Sequence, residues 1–551
     1  MASAAWQPTS ARMPADVPRA PAASCARLTH PDGWVRAEDA QPGDPGFTVP
    51  TDDRAPQVVG YADRRSAACG DSVTVYLSGP HSTLDLEAYR VGAYQNAQAR
   101  LVWRSGQLRV APRPMPALQP TTHLREADWP ATVSVPVSAD WPPGFYLLVP
   151  RSAGGVAGPA IPLVVRDDAD REPVLFAAST LTWNAYNEFG DYSLYHGPGG
   201  NAAARFGSRA TVASFRRPLM GSGYRQLTFM DVTVVRELEQ IAAAGGPDVA
   251  YSTDVDLDQR PSQLLSHAEI VFGGHSEYWT RREYDAVAVA RNVGVNLAFL
   301  GANNLWWHTR LDSGAGSVQP DREIVYRAVA GDPTPSSRSG DLTLLWSQWP
   351  EHRDASSMLG QSHAAIGVHG GYQLLGAPSW LLAGTGLTAG TVQAPGSTLP
   401  MAVGNEADGY NPLGANPRDL TVVAAGVLGG VRGPVTVSAG YYVARSGAGV
   451  FAAGSTDWSC GLWGPCADQQ APDTTSTALR ALTRNIVTAF AQARAGLTHP
   501  SVPGVVPPPS SLLTHLDPAA VGRYGAGSES AEEGAVSRTV HGTLPLAVRG
   551  Q

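Results

Sequence analysis

Between about residues 56 and 166 the chain runs in short apolar segments separated by turn residues: Ser72–Leu77, Leu84–Tyr89, Thr132–Val135 and Phe145–Val149. Successive side chains of a strand point to opposite faces, so many short strands at regular spacing predict a β-sandwich. After Arg166 a charged linker, Asp167 to Glu172, leads into a different texture. Pro173–Ala178 reads as a buried strand, and Asp231–Ala244 sets Val232, Val235, Leu238 and Ile241 at helical spacing before Gly245 and Gly246 stop it. Val249–Ser252 and Ala268–Phe272 read as short strands. Thr280 and Glu283 form a capping box that opens a helix, and Val293–Leu300 is the next apolar strand. Strand alternating with helix predicts an α/β domain with a mostly parallel sheet. Beyond about residue 310 the pattern loosens into further strands and long loops, until Leu479, Leu482, Ile486 and Phe490 mark one face of a helix that Gly496 ends. The predicted organisation is a loosely ordered arm (1–55), a β-sandwich (56–166), an α/β catalytic domain (171–497) and a Pro/Gly-rich tail (498–551) that includes Pro507-Pro508-Pro509.

Composition narrows the chemistry. A chain of 551 residues exceeds one ordinary core, and 40 basic against 48 acidic residues provide no basic footprint for nucleic acid. Every basic residue is arginine, which excludes a P-loop lysine, a Schiff-base lysine and a Ser-Lys dyad. Cys25, Cys69, Cys460 and Cys466 lack metal-ribbon spacing. Cys460 could close a short loop with Cys466, leaving Cys25 for Cys69, which requires an oxidising compartment. Pro14, Asp16 and Pro18 interrupt any signal-peptide core, and no segment is apolar enough to span a bilayer. The first observation points to the cytoplasm, whereas paired cysteines would suit an exported form.

In parallel sheets, ligands bind beyond the carboxyl ends of the strands. The loop after the first strand carries Trp183-Asn184-Ala185-Tyr186-Asn187 and Ser193-Leu194-Tyr195-His196; the loop after Ala268–Phe272 carries His275, Ser276 and Glu277; the loop after Val293–Leu300 carries Asn303 and Asn304, then Trp306 and Trp307. His275 and Glu277 alternate, so in an extended loop they project to one side, where one could ligate a metal and the other support it. The same spacing also suits a helix N-terminal cap. Ser276 lies at a strand-to-helix turn like a nucleophile elbow, but Tyr278 replaces that motif's second glycine. A metal hydrolase, a non-catalytic carbohydrate- or partner-binding protein and a serine hydrolase using Ser276 all remain open on the residues alone.

The blocks Ala185-Tyr186-Asn187, Ser193-Leu194-Tyr195, Gly274-His275-Ser276-Glu277-Tyr278-Trp279, Gly294 to Asn304, Gly404-Asn405-Glu406-Ala407-Asp408 and Gly454-Ser455-Thr456-Asp457-Trp458 occur in this order. So arranged, the chain resembles the N,N-dimethylformamidase large (beta) subunit family over about residues 56–495. The resemblance implies an immunoglobulin-like β-sandwich followed by an amidotransferase-like (flavodoxin-like) α/β domain. It implies a hydrolase of amide C–N bonds with one iron, as Fe(III), held by Tyr186, Tyr195 and Glu277, with Tyr192 as a substitute for one tyrosine. Glu406 would be the acid/base, His275 would stand beside the metal, and Asn303 would contact the pocket. Three anionic oxygen donors suit a hard ferric ion. The implied partner is a small-molecule amide or other C–N substrate, with a homo-oligomer allowed, no nucleic acid, no membrane and no small partner subunit indicated.

Overall fold

A computed structural model describes residues 12–17, 31–51, 57–390, 396–412, 414–430, 433–464, 466 and 471–501. Its central element is a nine-stranded sheet. Five strands are parallel, in the spatial order Val249–Thr253, Val174–Ala178, Glu269–Phe272, Asn296–Phe299 and Gly449–Ala452. In chain order this is second, first, third, fourth, fifth. The winding direction therefore reverses between the first and third strands, the position at which sheets of this kind bind ligands beyond the carboxyl ends. The strands Gly433–Val443, Thr421–Gly430, Ser362–Leu374 and Thr398–Gly409 extend the sheet antiparallel from Gly449–Ala452.

Helices cover both faces of the parallel part, which is why its strands are buried along their whole length and mostly apolar. Val232–Ala243 and Asp473–Gln492 pack Val235, Leu238, Leu482 and Ile486 against Phe176, Val271, Ala298 and Phe451. On the other face, Arg281–Val293 packs Tyr284, Val287 and Ala288 against Leu175, Ile270, Leu297 and Val450. The expected boundaries shift locally. A π-type turn, Leu227–Asp231, precedes the Val232 helix. Val293 closes a helix, with Gly294 at φ 113° as its left-handed cap, so the following strand starts only at Asn296. The Asp473 helix stops at Gln492, and Gly496 lies in the short turn Ala495–Leu497 beyond it.

The N-terminal region has two sheets. One contains Val59–Ala62, Ser72–Ser78 and Val133–Pro136; the other contains Ser66–Ala68, Ile161–Arg166, Gly144–Ser152, Ser82–Val91 and Ala99–Arg104, with Leu108–Val110 beside Ser82–Val91. Val73, Val75 and Leu77 of the first meet Leu84, Leu86, Ala88, Leu148 and Leu163 of the second in one core. The opposite face of the larger sheet is also buried: Tyr89, Phe145, Leu147 and Val149 join Phe176 and Trp183 of the α/β part. Arg90 and Glu239 form a buried ion pair across this seam, 2.8 Å apart. Within the stretch read as an arm, Trp34–Asp39 is a helix whose leading amides, Gly33 and Val35, donate to Asp248. Cys460 and Cys466 form a disulfide and Cys69 is also disulfide-bonded; Cys25 and the tail beyond Ser501 lie outside the described residues. Among the described residues, no helix is long and apolar enough to cross a membrane.

Candidate active site

The loop that leaves the first parallel strand enters the helix Thr180–Ala185, whose next residue is Tyr186. Buried carboxylates hold the start of that helix: Asp231 accepts from the Ser179 amide at 2.9 Å, and Asp254 from the Leu181 amide at 2.7 Å and the Thr180 hydroxyl. The chain then turns back, the Leu194 amide donating to the Ala185 carbonyl, and the Tyr195 ring stacks on Tyr186 at 4.2 Å. The loop after Glu269–Phe272 brings His275 and Glu277. Here two loops cross at a contact only glycine allows, since a Cβ on Gly301 would lie 1.8 Å from the Gly274 carbonyl oxygen. The Thr182 hydroxyl accepts from the Glu277 amide at 2.9 Å, so the helix leading to Tyr186 also positions Glu277. Glu277 does not cap a helix. The strand Tyr278–Thr280 follows it, and Thr280 is the cap, accepting from the Glu283 amide at 3.1 Å.

Glu406 arrives from the antiparallel extension. The pairing of Ser362–Leu374 with Thr398–Gly409 shifts register between Ile366 and Val368, opposite Glu406 and Asn405, with Gly367 at φ 68° and Asn405 at φ 56°. A bulge of this kind bends the strand and re-aims a side chain. Asn303, at φ 49° after the fourth parallel strand, donates its side-chain amide to Glu406 Oε2 at 2.7 Å and its main-chain amide to Asp408 Oδ1 at 2.8 Å.

Three strand ends and one bulged strand thus meet at one cluster. The Tyr195 hydroxyl donates to Glu277 Oε1 at 2.5 Å, and the Tyr186 hydroxyl to Glu406 Oε1 at 3.4 Å. His275 Nδ1 is 3.2 Å from Gln226 Oε1, an arrangement in which Nδ1–H donates and Nε2 faces Glu277 Oε2 at 3.6 Å and Glu406 Oε2 at 3.5 Å. His275 Nε2 and Glu277 Oε2 are buried and make no hydrogen bond. The electrostatics follow from crowding acids away from water. Burial pushes the Glu277 carboxyl up to about 7, with Glu406 adding to the rise and His275 opposing it. Burial and the Glu277 charge raise both tyrosine hydroxyls well above their usual range, and burial lowers His275. The Arg327 guanidinium lies 4.2 Å from the centre of the Tyr195 ring and donates to the Tyr278 hydroxyl.

The structure brings Tyr186, Tyr195, His275, Glu277, Asn303 and Glu406 together. Tyr192 lies elsewhere, against the His123 ring and the Arg125 guanidinium. Ser276 is held through its main chain, its amide donating to Asn304 and its carbonyl accepting from the Trp279 indole. Trp183 and Trp279 pack in the core against Phe145 and Phe272, and Trp307 packs against Arg327. Trp306 pairs with His363, whose ring lies close enough to His275 to lower its own pKa further beyond the effect of burial. Sequence reasoning missed Thr182, Gln226, Arg327 and His363. Only Thr182 carried a signal, being next to the aromatic block at the first strand's end; the others come from segments with no distinctive local pattern.

The family described as N,N-dimethylformamidase beta subunit-like, C-terminal, matches residues 85–471. The chain belongs to this family. The match runs from the larger N-terminal sheet to beyond Cys466, so this family member carries the whole Tyr186–Glu277–Glu406 cluster inside the matched region. No curated protein matches the chain.

Proposed function

We propose that this family member hydrolyses the C–N bond of a small amide at a mononuclear ferric iron held by Tyr186, Tyr195 and Glu277. The observation that carries this reading is the convergence of two phenols and two carboxylates around His275, with His275 Nε2 and Glu277 Oε2 buried and making no hydrogen bond. Burying acidic oxygens together is costly unless a cation compensates them. A hard trivalent ion suits that donor set, and its charge would favour the tyrosinate and carboxylate forms that burial disfavours. When bound, ferric iron supplies Lewis acidity, which polarises a carbonyl and acidifies water.

The chain's own residues do the rest. Glu406, held by Asn303 through one oxygen, is placed to take a proton from water and return it to the leaving amine. His275, its ring fixed by Gln226, presents Nε2 to the reacting centre, where it orients water or supports the developing oxyanion. We read the two N-terminal sheets as an immunoglobulin-like sandwich and the parallel strands, with their 2-1-3-4-5 order, as a flavodoxin-like unit. A serine mechanism has little support, because no base touches the Ser276 hydroxyl among the described contacts. The deciding experiment is a visible absorbance spectrum with metal analysis of the purified protein. Tyrosinate–iron charge transfer should colour it, with about one iron per chain. A colourless, iron-free preparation that cleaves amides at full rate overturns the proposal.

A further inference from the structure

Arg327 takes no part in the hydrolysis outlined above, although its guanidinium lies against one of the proposed ligands. Its central carbon is 4.2 Å from the centre of the Tyr195 ring and 4.4 Å from that of Trp307, with Phe206 at 5.6 Å and Tyr278 at 6.0 Å. It also donates to the Tyr278 hydroxyl. This bed of rings is built on the main chain of Glu277. Tyr278 and Trp307 pair in register on neighbouring parallel strands, and the Trp307 amide donates to the Glu277 carbonyl at 2.9 Å. Arg327 occupies the place in a left-handed backbone conformation, φ 61°, which residues other than glycine rarely adopt. Thr343 imposes it: its carbonyl accepts from the Arg327 amide at 2.9 Å, and its hydroxyl from the Tyr326 amide at 2.8 Å. Backbone held in this way clusters at functional sites.

A guanidinium is drawn to the negative face of an aromatic ring and, in turn, holds that ring's π electrons more tightly. Those are the electrons a tyrosinate gives to a ferric ion. Groups beside a metal's ligands commonly orient them and tune the metal in this way. We propose that Arg327 is a positioning residue of the metal site: stacked on Tyr195, it fixes the ring and weakens its electron donation. Iron held there is thereby kept a stronger Lewis acid toward a carbonyl. This inference rests on the ligand assignment made above. It also makes the two tyrosines unequal, because among the described residues no guanidinium lies over the Tyr186 ring, which stacks on Tyr195 alone at 4.2 Å.

The test is the visible spectrum and the reduction potential of the iron-loaded, full-length protein, compared among wild type, Arg327→Gln and Arg327→Lys. Without the cation the Tyr195 ring donates more readily, so Arg327→Gln should move the tyrosinate–iron charge-transfer band to longer wavelength and lower the potential. Arg327→Lys, which keeps the charge, should stay close to wild type in both. Should Arg327→Gln not fold, Tyr278→Phe takes its place: it only unties the guanidinium, and should move the band in the same direction by less. A band and potential that do not move in Arg327→Gln, or in Tyr278→Phe where that variant stands in, overturn the proposal. Equal shifts in the glutamine and lysine variants also overturn it, since packing and not charge would then be responsible. A coloured wild type with unmoved variants sinks this inference alone, whereas a colourless, iron-free wild type sinks the ligand assignment and this inference with it.

Discussion

The Tyr195 hydroxyl donates to Glu277 Oε1 across 2.5 Å, although 82 positions separate the two residues in the chain. They leave neighbouring strands, the first and third in sequence, at the point where the sheet reverses its order of winding. If these residues hold iron, Tyr195→Phe and Glu277→Ala should each purify with little iron and no charge-transfer band. Glu406→Ala should keep the iron and lose turnover by roughly 10²- to 10⁴-fold, the usual worth of a general acid/base. Full iron occupancy in Glu277→Ala would contradict the assignment.

Burial raises the Glu277 carboxyl from its ordinary value of 4.5 to about 7. Such a group holds its proton more tightly in the folded than in the unfolded chain. Its contribution to stability is therefore complete below pH 4.5 and lost as pH rises through about 7. The difference corresponds to roughly 3 kcal/mol. Burial raises Asp231, Asp254 and Asp408 to about 7 as well, and they act in the same direction. The metal-free protein should thus unfold at lower urea concentration at pH 8 than at pH 5, and Glu277→Gln should flatten that slope. An identical slope in the variant would remove Glu277 from the account.

Asn303 fixes Glu406 while holding a left-handed backbone angle that asparagine tolerates better than most residues. Asn303→Ala removes a hydrogen bond to a carboxylate, worth about 1.5–3 kcal/mol. The expected result is a kcat roughly tenfold to a hundredfold lower with iron content unchanged. Steady-state kinetics alongside metal analysis would show it, and an unaltered kcat would mean that Glu406 needs no such support.

Across the seam between the N-terminal sheets and the α/β part, Arg90 donates two bonds to Glu239, at 2.9 and 2.8 Å, with both side chains fully buried. Glu239→Ala leaves the buried guanidinium with only Asp39, 3.9 Å away, as a carboxylate partner and should cost about 3–5 kcal/mol. The double replacement Arg90→Met with Glu239→Leu should cost less, because no buried guanidinium is then stranded, although Asp39 and the Tyr251 hydroxyl each lose a partner. Equilibrium denaturation of the three proteins distinguishes these outcomes; a double variant no more stable than Glu239→Ala would refute the argument.

Much of the fold was legible locally. The Val232 helix announced itself through the spacing of Val235, Leu238 and Ile241, the Arg281 helix through its Thr280–Glu283 cap, and the parallel strands through runs such as Ile270-Val271-Phe272 that leave no polar face. These signals depend on neighbours within one or two turns of chain. The long strands after residue 360 were not legible, because Gly-rich segments such as Ser362–Leu374 break period-two alternation with bulges. Phe145–Val149 is apolar on both faces because a second element covers the sheet, which the segment by itself does not reveal.

The candidate site divides in the same way. The sequence by itself determined which residue types stand at the strand ends, and its ordered blocks brought the family likeness with Tyr186, Tyr195, His275, Glu277, Asn303 and Glu406. It left open whether Glu277 caps a helix and whether Tyr192 could stand for one of the two tyrosines. Tertiary structure decided the first, Thr280 taking the cap, and set the positions of the rings, the turn after Ala185 stacking Tyr195 on Tyr186 while Tyr192 faces His123. It alone brought in Arg327 over Tyr195. The physical reason is one of range. Periodicity and capping act over a few residues, whereas contact between loops depends on strand order, on bulges and on glycines that let two backbones touch.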